Sequence, residues 1–158
     1  MQVYAIHCSD RIMPIQHCEM RKPYEVFEHT ADIGIHAYGS TLEELFVHAA
    51  EGMESLMVAP EQVRVTTTRQ ISVEGHDPVS LLISWLNELI FLFDTEYLLF
   101  RTFTLEVISE TQVRGRADGE VYDRQRHDLS SAIKAVTWHE AAITQTAEGY
   151  QARIIFDI

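Results

Sequence analysis

The chain has 158 residues, with 24 acidic and 12 basic side chains, and its formal net charge at pH 7 is −12. This excess of negative charge repels a phosphate backbone, so it argues against strong direct binding of nucleic acid and favours a cation or a basic protein surface as the partner. An apolar fraction of 46% is typical of a globular protein, and the length predicts one domain with a sizeable core.

No segment has the features of a membrane span or a targeting signal. The most apolar stretch, 81–93, is interrupted by polar residues and is shorter than the about 18 consecutive apolar residues that a spanning helix needs. The first residues lack the basic and apolar regions of a signal peptide. Cys8 and Cys18 are the two cysteines, and neither can cross-link the predicted core. We therefore expect a cytoplasmic protein with no membrane partner.

Residues 1–22 show no periodic apolar pattern, and Met20 offers an alternative start. We expect an N-terminal extension that is disordered or precedes the true start, followed by a single domain at 23–158. The alternative is a zinc site formed by the pairs His7-Cys8 and His17-Cys18. Paired zinc ligands are usually about two to four residues apart, so adjacent ligands disfavour this alternative.

The first periodic region predicts two strands and a helix. A short strand is expected at Tyr24–Phe27, and apolar residues then alternate through 33–38, which predicts a strand with one buried face. Ser40 or Thr41, each followed three residues later by Glu, forms a capping box that begins a helix. The apolar residues that follow recur at helical spacing, so this helix has one continuous apolar face.

The remainder predicts one more strand and helix, and then strands alone. Residues 63–73 are rich in β-branched side chains. A second helix begins with Asp77 as N-cap and Pro78 at its first position, and its apolar side chains again recur at helical spacing. The further predicted strands are 99–108, 113–122, 133–139 and 150–157.

These elements predict an α+β fold in the order β-α-β-α-β-β-β-β. The expected architecture is a mostly antiparallel β-sheet with two main helices packed on one face. A sheet face that the helices leave bare should be polar or should bind a partner.

The sequence contains none of the usual catalytic signatures. Asp32 precedes a predicted strand, and Asp157 ends the last one, next to the α-carboxylate of Ile158. If these strands are neighbours, three carboxylates converge and a cation must relieve their repulsion. Carboxylates suit Ca²⁺ or Mg²⁺. His29 either joins these ligands or hydrogen-bonds within its turn, and each Asp alone would be an ordinary solvated residue.

Lys134 interrupts a predicted strand that is otherwise apolar. One interpretation is an edge-strand lysine that faces solvent and blocks aggregation. The other is a charge that is presented to a partner.

Five separated blocks of the sequence resemble the archease family. They are Tyr24–Ile35, which contains His-Thr-Ala-Asp at 29–32, and Gly39–Phe46, 81–89, Ile133–His139 and Asp157-Ile158. The similarity covers 23–158 and leaves residues 1–22 outside it. Trp138 stands where a tyrosine is common in the family.

The resemblance implies a small accessory protein rather than an enzyme. Archeases act on the RtcB-type RNA ligase, which joins RNA ends in tRNA splicing and RNA repair with GTP and a divalent metal, and they promote its guanylylation and multiple turnover. The resemblance also implies a metal site, typically for Ca²⁺, with Mg²⁺ or Mn²⁺ as other candidate ions, at Asp32, Asp157 and Ile158. The candidate supporting or partner-contacting residues are His29, Lys134 and His139.

Two other classes of function remain open on the sequence. The first is a chaperone-like binding module without metal chemistry, in which Asp32 and Asp157 are dispensable and apolar sheet residues are not. The second is a metal-dependent hydrolase, in which His29 or His139 would serve as the general base.

Overall fold

A computed structural model describes residues 22–158 of the protein. The predictions made for residues 1–21, including the zinc site at the two His-Cys pairs, lie outside the described residues. The elements in chain order are β1 (Tyr24–His29), β2 (Asp32–Gly39), α1 (Leu42–Met57), a 3₁₀ turn (Pro60–Gln62), β3 (Thr67–Glu74), α2 (Pro78–Glu96), β4 (Leu98–Ile108), β5 (Gln112–Val121), β6 (Ala135–Val136), β7 (Ala142–Thr146) and β8 (Gly149–Asp157).

The strands form two antiparallel sheets. The first has the order β1-β2-β8, and the other edge of β8 pairs with β7 along one part and with the short β6 along another. The second sheet has the order β3-β5-β4. The predicted α+β class and the predicted order of strands and helices are therefore confirmed, and the division into two sheets is an addition to them.

Both helices contact both sheets, so one core extends through the domain. Helix α1 lies against β1, β2 and β8 on one side and against β4 on the other, whereas α2 contacts all three strands of the second sheet as well as β6 and β7. The largest fully buried side chain is Trp85 of α2, whose indole Nε1 donates a hydrogen bond to the carbonyl oxygen of Phe46 (3.2 Å). The helices thus leave one face of the first sheet uncovered.

The two helices begin where the sequence predicts. The Glu44 backbone N–H donates to the Thr41 side chain (3.2 Å), and the Glu44 carboxylate accepts from the Ser40 backbone N–H (2.9 Å). At α2, Asp77 and Ser80 form a reciprocal capping box. Length and composition alone would let α2 cross a membrane, but half of that stretch, including Trp85, is buried in the core, whereas Phe91 is exposed.

One predicted strand differs from the structure. Of the predicted strand 133–139, Ala135–Val136 pair with β8, and the hairpin partner of β8 is β7 at Ala142–Thr146. Strand β7 escaped prediction because it lies at a sheet edge and carries one large apolar residue, Ile143. The chain leaves the sheet after 136 and turns at 138–141, where the Ala141 backbone N–H donates to the Trp138 carbonyl (3.2 Å).

Candidate functional site

The candidate site lies at the end of the first sheet, beside the tight connection between β1 and β2. His29 and Asp32 are paired residues across the two strands, and Thr30 and Ala31 link them. Ala31 has φ of 62°, a left-handed conformation that non-glycine residues seldom adopt. This turn fixes His29 and Asp32 side by side at the strand ends.

The strand pairing on which the three-carboxylate prediction depends is present. Strand β2 pairs with β8 in a register that sets Ile33 opposite Phe156. Asp32 directly precedes Ile33 and Asp157 directly follows Phe156, so the two aspartates lie at the same end of the sheet. Ile158 follows directly and is 41% exposed. The backbone N–H of Lys134 donates to the Asp157 carbonyl oxygen (2.8 Å), which ties Lys134 to this end as well.

Asp32 and Asp157 belong to the face of the sheet that the helices leave uncovered. Along β2, Ile35 and Ala37 are fully buried toward the helices, so the alternating residues Asp32 and His36 lie on the opposite face. On β8, Arg153 is paired with His36, and Asp157 is four residues further along the strand, so both side chains lie on the same face. This face therefore carries the charged side chains of Asp32, Arg153 and Asp157, and between the last two lies Ile155, which is fully buried.

His29 lies between two carboxylates. Its Nδ1 is 3.9 Å from Asp32 Oδ2, and its Nε2 is 3.6 Å from Glu140 Oε2. Nδ1 is buried and has no hydrogen-bond partner. The imidazole thus lies with Nδ1 on the side of Asp32 and Nε2 on the side of Glu140.

His139 and Glu140 extend the cluster from the turn that follows β6. His139 Nε2 is 3.8 Å from Glu140 Oε2, and the rings of His29 and His139 lie 5.6 Å apart. Ligand atoms of His29, His139 and Glu140 all lie within 4.8 Å of one another. Within 22–158, this is the one group of three histidine, cysteine or acidic side chains that meets this spacing.

Arg153 supplies the positive charge of this face. Its Nη2 donates a hydrogen bond to Glu140 Oε2 (3.0 Å), and its guanidinium lies 4.4 Å from the centre of the Phe27 ring. The hydrogen bond from Arg153 lowers the pKa of Glu140, so the carboxylate is ionised near neutral pH. Burial lowers the pKa of His36, and the positive charge of Arg153 lowers it further.

The structure therefore places His29, Asp32 and His139 around Glu140 and Arg153, and sets Asp157, Ile158 and Lys134 at the same end of the sheet. Glu140 and Arg153 were missed because no motif or periodicity marks a turn residue or one arginine of a strand. Glu140 has φ of 53°, a conformation that the sequence does not signal. Trp138 is 63% exposed beside this cluster and has no part in the core.

Comparisons with known proteins identify relatives of the chain. The model of the archease protein family (MTH1598/TM1083) matches residues 24–158. Archease proteins from Methanosarcina barkeri and Pyrococcus furiosus are 38% and 37% identical to the chain, each over 141 residues. Each alignment covers 87% of this chain, and they cover 97% and 99% of the two relatives.

Two solved structures are similar to the fold. The solution structure of Methanobacterium thermoautotrophicum protein 1598 has a TM-score of 0.76 and 36% identity, and the alignment covers 86% of this chain and 99% of that chain. The crystal structure of an archease from Thermotoga maritima, described as a possible chaperone, has a TM-score of 0.57 and 20% identity, with coverage of 89% and 98%. At that identity, the second structure supports the fold alone.

Proposed function

The chain belongs to the archease protein family, and on this basis we propose that it is a non-catalytic accessory protein that activates an RtcB-type RNA ligase in the cytoplasm. Its role is to promote guanylylation of the ligase and so allow multiple turnover in tRNA splicing and RNA repair. The chain itself performs no chemistry on RNA in this proposal, in keeping with a net charge of −12.

The observation that carries the proposal is the register of β2 and β8. It brings Asp32 and Asp157 to the same end and the same face of the sheet, next to Ile158. Oxygen ligands of this kind suit a hard divalent cation such as Ca²⁺, Mg²⁺ or Mn²⁺. Asp32, Asp157 and the terminal carboxylate of Ile158 would hold the ion, and the ion would supply positive charge that offsets their mutual repulsion.

The surroundings of these carboxylates suit docking on a protein. Trp138 and Ile158 are exposed apolar side chains at the same end of the sheet, and the Lys134 side chain is exposed there too. Aromatic side chains are enriched in protein interfaces, where they fill pockets of the partner. The acidic end would thus reach the ligase while its charge keeps the accessory protein away from the RNA.

The test is a reconstituted ligation reaction with an RtcB-type ligase, GTP and an excess of RNA ends. We expect wild-type protein to raise the number of turnovers per ligase and the amount of guanylylated ligase, and Asp32→Ala or Asp157→Ala to abolish both effects. Glu110→Ala, at an exposed acidic residue in the second sheet's β4–β5 turn, is the control and should activate fully. Full activation by Asp32→Ala would refute the role of the acidic end.

A chaperone-like module remains the second candidate, because other apolar side chains are exposed far from the carboxylates in sequence. Tyr97 is 59% exposed and Val121 is 54% exposed, and the Tyr122 backbone N–H donates to the Tyr97 carbonyl (2.7 Å), so the two lie close together. On this alternative, Tyr97→Ser and Val121→Ser would abolish the effect on a partner protein while Asp32→Ala would not.

A further inference from the structure

The inference concerns His29, His139 and Glu140, which differ in chemistry from the hard carboxylates at Asp32 and Asp157. Two imidazoles and one carboxylate form the donor set that binds zinc in sites with three protein ligands. Imidazole nitrogen favours borderline metals such as Zn²⁺ over Ca²⁺ and Mg²⁺.

The two distances from Glu140 are close to those of a tetrahedral metal. With bonds of about 2.0–2.2 Å, neighbouring ligand atoms around zinc lie about 3.3–3.6 Å apart. Glu140 Oε2 lies 3.6 Å from His29 Nε2 and 3.8 Å from His139 Nε2. The His29 and His139 rings are inclined at 60° rather than stacked, with their centres 5.6 Å apart. The ligand atoms of the three residues lie within 4.8 Å of one another, so metal binding would draw the two imidazoles closer together.

The surroundings of His29 supply the support that a zinc-bound histidine needs. A histidine that binds metal through one ring nitrogen usually donates its other N–H to a carboxylate, which fixes the tautomer. His29 Nδ1 is buried, has no hydrogen-bond partner and lies 3.9 Å from Asp32 Oδ2. A small rotation would let Nδ1 donate to Asp32 and leave the lone pair of Nε2 directed toward Glu140 and His139.

The backbone conformation of Glu140 also indicates a role for its side chain. Its φ of 53° lies in the left-handed region, which favours glycine and which other residues adopt only at a cost in backbone energy. A glutamate here is therefore disfavoured by the backbone, and its side chain must offset the cost. Its one hydrogen bond is to Arg153 (3.0 Å), so a cation already occupies the position that a metal would take.

We propose that His29, His139 and Glu140 form a binding site for a zinc-class transition metal, distinct from the hard-cation carboxylates and in competition with the Arg153 guanidinium. Binding releases Arg153 from Glu140 and leaves it against the Phe27 ring, which it already contacts. The proposal does not depend on ligase activation, since its three metal ligands are other residues and it concerns another class of ion; Asp32 takes part only as the hydrogen-bond partner of His29.

The experiment is a titration with Co²⁺, whose visible absorption reports coordination number, followed by displacement with Zn²⁺. The full chain is used with Cys8→Ser, Cys18→Ser, His7→Gln and His17→Gln, because these side chains could bind the probe themselves. With excess Ca²⁺ present to occupy the carboxylates of the hard-cation site, we expect one Co²⁺ per chain, with the absorption of a site that contains nitrogen ligands, and complete displacement by Zn²⁺.

Further single substitutions in this Cys- and His-substituted chain test which residues bind the metal. Glu140→Gln and His139→Gln should each raise the dissociation constant at least about tenfold, since even outer partners of metal ligands contribute that much. Asp157→Asn, Glu110→Gln and His76→Gln should keep the wild-type affinity, the last two being exposed residues of matched type. Circular dichroism and melting curves select the variants that fold.

Arg153→Gln should change the affinity for Co²⁺ in the opposite direction, toward tighter binding. A misfolded variant would not bind the metal more tightly. Removing the guanidinium frees Glu140 and lowers the positive charge beside the site, so Co²⁺ should bind more tightly than to wild type. Unchanged affinity in both Glu140→Gln and His139→Gln would overturn the proposal. Loss of binding in Asp157→Asn alone would also overturn it, because the metal would then belong to the hard-cation site.

Discussion

The Phe27 ring lies directly over Gly34, its partner across β1 and β2. A Cβ atom built on Gly34 would come within 2.2 Å of the ring's Cζ and within 2.7 Å of both Cε atoms. The ring in turn supports the Arg153 guanidinium and contacts His36, with ring centres 4.7 Å apart. The absence of a side chain at Gly34 therefore lets the ring lie flat and sets the position of the charged groups around it.

Gly34→Ala should destabilise the protein by about 1–3 kcal/mol, because the new methyl group must displace the ring. Equilibrium unfolding in urea measures the effect, and a double-mutant cycle assigns it. In a Phe27→Ala background the ring is gone, so Gly34→Ala should cost much less. An equal cost in both backgrounds would show that the ring does not oppose the methyl group.

Glu54 gives a pH dependence with a defined sign. It is buried in the core and accepts a hydrogen bond from the Phe100 backbone N–H (3.3 Å), and burial raises its pKa from 4.5 to about 8. Between these values the folded protein keeps a proton that the unfolded chain releases. Stability should therefore fall as pH rises from 4.5 through 8, by up to about 1.4 kcal/mol per pH unit.

Glu54→Gln removes this titration and keeps an oxygen for Phe100. We expect the free energy of unfolding of this variant, measured in urea from pH 5 to pH 8, to decline less steeply than that of wild type. A residual slope should remain, because burial also raises the pKa of nearby Glu51. Glu110→Gln, at an exposed position, is the control and should follow wild type. Parallel curves for Glu54→Gln and wild type would contradict the expectation.

The elements that the sequence predicted are those with a regular pattern. Alternation through 33–38 marks β2, and the caps at Thr41 and Asp77 mark both helices. Asp32 and Asp157 are predicted to converge only if their strands are neighbours, and the register of β2 and β8 supplies that condition. Glu54 was overlooked, although Ala50, four residues earlier, and Met57, three residues later, place it within the apolar stripe of α1.

No regular pattern in the sequence marks Glu140 or Arg153 as a site residue. The position of Glu140 depends on the dihedral angles of the turn at 138–141, and its φ of 53° is uncommon for a glutamate. Arg153 follows the alternation of β8, but its contact with Glu140 depends on where that turn places the carboxylate. Contacts between a strand and an irregular turn arise from the tertiary fold, so periodicity cannot reveal them.

A buried ionic cluster holds the chain segment that leads to Lys134. Glu120 is 5% exposed and accepts hydrogen bonds from the Arg64 backbone N–H and the Arg126 guanidinium. His127 Nδ1 accepts from the Asp123 backbone N–H (2.8 Å), so its Nε2 carries the proton and donates to Glu120 (3.2 Å). The cluster thus fastens the loop after β5 to the second sheet.

Glu120→Ala should destabilise the protein by about 3 kcal/mol, because it leaves buried donors without an acceptor. Glu106→Ala is the matched control, since Glu106 forms an exposed ion pair with Arg114 (3.7 Å) that should contribute less than about 1 kcal/mol. The measurement is the melting temperature of each variant relative to that of wild type. Equal shifts would mean that the Glu120 cluster is as dispensable as a surface ion pair.

The terminal carboxylate of Ile158 is the part of the proposed hard-cation site that can be moved without changing any side chain. Calcium titration by calorimetry should detect one ion bound to wild type and none when a few glycine and serine residues are appended after Ile158. Ile158→Ala keeps the carboxylate and removes the side chain, so it should bind calcium as wild type does.

Stability provides a second measurement of the same site. A ligand that binds the folded state alone raises the melting temperature, so calcium should stabilise wild type and Ile158→Ala and leave the extended chain unchanged. Asp157→Asn should also lose the calcium-dependent shift, since it removes a neighbouring carboxylate. If the extended chain binds calcium as tightly as wild type, the terminal carboxylate is not a ligand, and the ion must be held by side chains such as Asp32 and Asp157 without it.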